Sequence, residues 1–156
     1  MSTGNGAIIT HDGTLVTDTD VMASGDVLSD VVEIPNVFSP ATLSVIIQSI
    51  CVVDDAAQDG AFELVFLDAA TSIGTVNAAV STSDAVAASI VGMIPVLSAD
   101  YGVSSVGWSV ATPTFNPIVV RSGTARLKSL WVAAISTDTS TAAATDDLKL
   151  RIGILS

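Results

Sequence analysis

Few residues in this chain have the type and spacing for chemistry. His11 is the single histidine, so a Ser–His–Asp hydrolase would have to use it; it stands beside Asp12 and Gly13, in what reads as a turn. The segment GVSSVG (102–107) has one residue too many between its glycines for a nucleophile elbow. One histidine and one cysteine, Cys51, do not assemble a zinc site, and a single cysteine permits no internal disulfide. Cys51 lies in the apolar run SVIIQSICVV and reads as a small buried hydrophobe. Asp18 and Asp20 have the two-residue step of a calcium loop, but DTDVMASGD lacks a third oxygen ligand before its glycine and a closing Glu. Asp54, Asp55 and Asp59 form an acidic loop that reads as solvated. Paired carboxylates can cleave a glycosidic bond, but such sites sit in aromatic-lined clefts, and aromatic residues are only 4% of the chain. No enzyme and no cofactor is expected.

Two residue sets remain. Trp108 and Trp131 lie in β segments with apolar neighbours, where a tryptophan packs a core, anchors an interface or stacks on a sugar. The chain's five Lys and Arg are Arg121, Arg126, Lys128, Lys149 and Arg151, so no cation precedes position 121 in a chain of net charge -11. In an extended RLK, Arg126 and Lys128 project from one side. Pairing with the chain's own Asp residues is one reading; a basic docking spot on an acidic molecule is the other.

The elements that must position these residues have a period of two. LKLRIGIL (148–155) sets Leu148, Leu150, Ile152 and Ile154 on one face, with Lys149, Arg151 and Gly153 opposite. AFELVFLD sets Phe62, Leu64 and Phe66 against Glu63, Val65 and Leu67. ATLSVIIQSICVVD and SLWVAAIS are apolar on both faces, as central or interface strands are. Gly, Pro, Asp and Asn punctuate further short strands. In STSDAVAASIVGMIP, Ser83 can cap a short helix over 84–90, with Val86, Ile90 and Ile94 on one face and Gly92 and Pro95 ending it. The pattern predicts an all-β, jelly-roll-like antiparallel β-sandwich with one short helix over 26–156, and an N-terminal arm or peripheral strand over 1–25.

With 156 residues the chain suits one domain burying roughly two-thirds of its unfolded surface. Charged residues are 13%, about half the usual ~25%. So little charge points to self-assembly or docking on a larger surface, and the two-sided apolar strands point to a homo-oligomer, a trimer above all. The absence of cations before Arg121 argues against nucleic acid. The richest apolar stretch, over 85–99, is too short to span a membrane and is broken by Gly92 and Pro95. The first residues show no signal peptide, so synthesis in a cytoplasm is expected.

VVEIPNV (31–37), NAAVSTSDA (77–85), SLWVAAISTDTST (129–141) and LKLRIGIL (148–155) occur in an order that resembles the head decoration, or cement, proteins of tailed bacteriophages. The likeness runs over most of the chain from about Val31. It implies a jelly-roll sandwich without catalysis, located on the outer surface of a virion capsid. It also implies many copies bound to a major capsid protein, often as trimers. The rival expectation is a carbohydrate- or receptor-binding sandwich of a phage head or tail fibre, with Tyr101, Trp108 or Trp131 exposed in a shallow groove.

Overall fold

The computed structural model describes residues 8–39, 42–102, 107–122 and 128–155. Among these residues ten strands form two antiparallel sheets: β1 (Ile8–Thr14), β2 (Val27–Ile34), β3 (Ser44–Asp54), β4 (Phe62–Leu67), β5 (Ile90–Val96), β6 (Tyr101–Gly102), β7 (Ser109–Ala111), β8 (Ile118–Arg121), β9 (Leu130–Ser136) and β10 (Leu148–Leu155). One sheet runs β1-β10-β3-β7-β6, with β8 also paired to β3; the other runs β2-β9-β4-β5. The chain crosses between sheets at six of the nine connections between these strands. With β6 to β8 counted as one broken strand, this is the jelly-roll order.

Alternation builds the core. Leu148, Leu150, Ile152 and Ile154 of β10 meet Phe62, Leu64 and Phe66 of β4, all nearly inaccessible. The other faces of β4 and β9 are apolar too, and the chain covers them itself. Val65, Leu67, Trp131 and Ala133 form a second cluster with Val27 and Ile73, roofed by Val76, Val80 and Val86 from the 68–89 connection and by Ile90 at the start of β5. The two-sided character of SLWVAAIS therefore has an intramolecular cause and gives no motive for self-assembly. In β3 the second face is different: Ile46, Cys51 and Val53 are only half-buried.

The helix is shorter than its sequence pattern. Helix α1 covers Asp84–Ala87, with the Ser83 hydroxyl accepting from the Val86 N–H at 3.4 Å. Gly92 and Pro95 do not end it; they lie inside β5. Proline is tolerated there because β5 is a sheet edge. Gly92 has a packing reason, since a Cβ on it would come within 2.5 Å of the Ile118 Cδ1 on the facing sheet.

Within the 1–25 segment, the described part is an edge strand paired to β10 from Ile8↔Leu155 to Thr14↔Lys149. The loop after it sends Leu15 and Met22, both fully buried, into the main core. Gly13 lets Ile34 pack against the backbone, where a Cβ would lie 2.6 Å from the Ile34 Cδ1. From Ile8 onward this segment is built into the sandwich.

Candidate functional site

Most of the acidic groups gather at one end. β3 and β9 finish there, at Asp54 and Ser136, and β10 starts there at Leu148, paired with Asp54. The flanking loops carry Asp18, Asp20 and Asp26, then Asp55 and Asp59, Asp100, and Asp138, Asp146 and Asp147. These loops are organised by their own carboxylates. Asp54 is only 3% exposed, which corrects its reading as solvated. It accepts from the N–H groups of Ala56 (2.9 Å), Gln58 (2.8 Å) and Asp59 (3.0 Å). The Asp59 carboxylate accepts from the Ser109 hydroxyl. Asp18 accepts from the Asp20 N–H at 3.0 Å within its loop. Among the described residues no group of three His, Cys, Asp or Glu is placed to hold a metal ion. His11 is not in a turn; it sits in β1 opposite Ile152.

A small cavity at this end, about 30 Å³, is lined by Leu28, Asp54, Phe62, Tyr101 and Asp147 among others. That is room for a water or two and no substrate. The Tyr101 hydroxyl donates to the Gly60 carbonyl at 3.3 Å. Burial first, then the charges of Asp54, Asp59, Asp138 and Asp100, lift the phenol well above its ordinary value of 10.0. The fold thus favours the neutral phenol. This contribution is intact below about pH 10 and is lost as pH rises from there toward the higher folded value. Because Tyr101 is the chain's single tyrosine, phenolate absorbance should stay absent from native protein above pH 10 and appear with unfolding. Tyr101→Phe should flatten the alkaline loss of stability. Phenolate titrating near pH 10 in folded protein would contradict the geometry.

The cations have a different placement. Cross-strand partners share a face, and Leu150 and Ile152 face the core, so Lys149 and Arg151 point to the outer side of the six-stranded sheet. Lys149 is ion-paired with Asp55, and that hydrogen bond raises its ammonium above the ordinary lysine value. Arg151 lies 3.4 Å from Asp12. Arg121, at the end of β8 and paired with Ser44, is exposed on the same side, since its neighbour Val120 is buried in the core. Lys128 is exposed at the end of the sandwich away from the acidic loops, where its carbonyl accepts from the Phe38 N–H at 2.8 Å. Arg126 and residues 103–106 of GVSSVG lie outside the described residues. Arg121 shares its face with Lys149 and Arg151.

Register also places an apolar row on this face. Ile8 pairs with Leu155, Leu155 with Ile46, and Ile46 with Val119. All four are the outward members of their strands. Ile8 and Val119 are each 62% exposed. Beside this row β7 and β8 leave a gap, because residues 112–117, with Pro113 and Pro117, leave the ladder on β3. The gap opens a shallow groove past Gln48, Cys51, Thr112, Phe115 and Arg151.

The two tryptophans part company. Trp131 is buried under the 68–89 cover, so it is a core residue and not an interface anchor. Trp108 is 52% exposed just before β7. Of the aromatics that a glycan groove would use, Tyr101 is half-buried beside the small cavity and Trp131 is covered. The sequence reading missed the outer apolar row, whose members are spread over four strands, and the buried role of Asp54. Comparison with protein-family models, curated sequences and solved structures gives no match to this chain.

Proposed function

We propose that this chain is a structural virion protein, a head decoration or cement protein that binds the outer surface of a tailed-phage capsid and stabilises the expanded lattice. The observation that carries this reading is the asymmetry of the two sheets. One outer face is roofed by the chain's own 68–89 connection. Among the described residues the other is bare, with an apolar row and three cations on an acidic molecule. A sandwich of that kind is suited to lie flat on a larger surface, and the acidic end stays soluble and free of anionic polymers. The sequence likeness to decoration proteins points the same way, with major capsid protein as the partner.

Such a protein works by linkage. Binding only the assembled, expanded lattice stabilises it by RT ln(1 + [L]/Kd) per site, about 1–3 kcal/mol at ~5–100 times Kd, repeated over a shell. The test mixes purified protein with expanded, undecorated heads and follows co-sedimentation and the temperature at which heads break. Saturable occupancy with a raised disruption temperature is expected. Heads that take up no protein at tens of micromolar would end this reading.

A further inference from the structure

We propose that the bare outer face of the six-stranded sheet is the docking surface, and that its occupant is a protein surface with an apolar strip bordered by carboxylates. This rests on the decoration reading for the partner's location, and on the face itself for the partner's chemistry. The apolar part of the face is the Ile8–Leu155–Ile46–Val119 row, at the end of the sheet where β1 starts and β10 finishes, and its two outer members are each 62% exposed. Arg121 borders it on one side, and Arg151 and Lys149 lie beyond it on the other. The carboxylates here are Asp12 and Asp55, and each already holds one of these cations. Among the described residues Arg121 has no carboxylate partner on this face, while the chain as a whole carries net charge -11.

That contrast selects the occupant. A second copy meeting this face would offer Arg121 only the carboxylates Asp12 and Asp55, which already hold Arg151 and Lys149, and would bring a second net charge of -11 against the first. A partner offering carboxylates around an apolar strip satisfies both parts of the face. Lys128 leads into β9 of the other sheet and stands outside this face.

The experiment has two arms. In the first, wild-type protein, Val119→Glu, Arg121→Glu and the milder Ile8→Thr are mixed with expanded heads, with Met93→Glu on the opposite sheet and Lys128→Glu as comparators. Circular dichroism and thermal midpoints establish that each variant is folded. The face variants should lose at least tenfold in affinity and the comparators less than twofold. In the second, the free proteins pass over a resin bearing both phenyl and carboxylate groups, and over one bearing carboxylates alone. Wild type should be retained by the first and flow through the second, and Val119→Glu should flow through both. Wild type flowing through the mixed resin, or folded face variants decorating heads as wild type does, overturns the docking face. Retention on the mixed resin without binding to heads supports the face and sinks the decoration reading. A wild-type dimer in sedimentation that Val119→Glu makes monomeric overturns the acidic partner in favour of a second copy.

Discussion

Trp131→Ala should cost ~3–5 kcal/mol of stability, the range for removing a large buried aromatic. Its indole is 8% exposed and lies between β9 and the 68–89 cover, against a cluster holding Val65, Leu67 and Ile73. Truncation forfeits the transfer free energy of the ring and leaves a cavity that a connection tied down at both ends closes poorly. For a domain of this size the loss corresponds to a fall of roughly 6–20 °C in Tm. It should also loosen the cover and uncover a second apolar face, so that the variant self-associates more than wild type. Denaturant unfolding gives the first quantity and sedimentation at several concentrations the second. Trp108→Ala is the companion measurement; at 52% exposure it should stay within ~0.5 kcal/mol of wild type. Equal losses from both tryptophans would mean that the cover is not packed as described.

Asp54→Ala should cost a comparable amount for a different reason. The carboxylate is the acceptor for three backbone N–H groups of the β3–β4 turn. That turn holds Ala57 and Asp59 at positive φ, a conformation that side chains other than glycine resist. Hydrogen bonds to a charged group contribute ~1.5–3 kcal/mol each, and their losses overlap, so ~3–5 kcal/mol in total is expected. Asp54→Asn keeps one carbonyl acceptor and should lose about half as much. The β3–β7 pairing ends at Asp54↔Ser109, so hydrogen exchange should quicken first in β7 and the turn. An alanine variant as stable as wild type would remove Asp54 from the role given to it.

Parity along the strands made much of the core legible. In β10 Leu148, Leu150, Ile152 and Ile154 fall on alternate positions, and they are the side chains buried in the main core. Asp54 was legible too: it continues the inward parity of Ile50 and Val52, and two adjoining acids in a loop disguised it. β5 misled because Val86, Ile90 and Ile94 fit a helical spacing as well as a turn followed by a strand. No local pattern says that a connection of apolar and small residues folds back over β9. The docking face was the least legible part. Arg121 and Arg151 share it only because β8 and β10 flank β3, and the four residues of the apolar row come from four separate strands. Register is a property of the assembled sheet, so such a surface has no signature in any one segment.

The pairing of β1 also bears on how the chain is made. Among the described strands its only ladder partner is β10, near the opposite end of the sequence, and β10 itself separates β1 from β3. On a ribosome, β2 to β5 and then β9 emerge and can form the smaller sheet with its cover while β1 waits. The larger sheet closes last, after residue 155 has left the exit tunnel, across the longest loop the molecule contains. Folding should accordingly be slow for its size, with late closure as the limiting step. Until then β3 presents its apolar inner face without β10 beside it, and that nascent species is the one most exposed to misassociation in the cell.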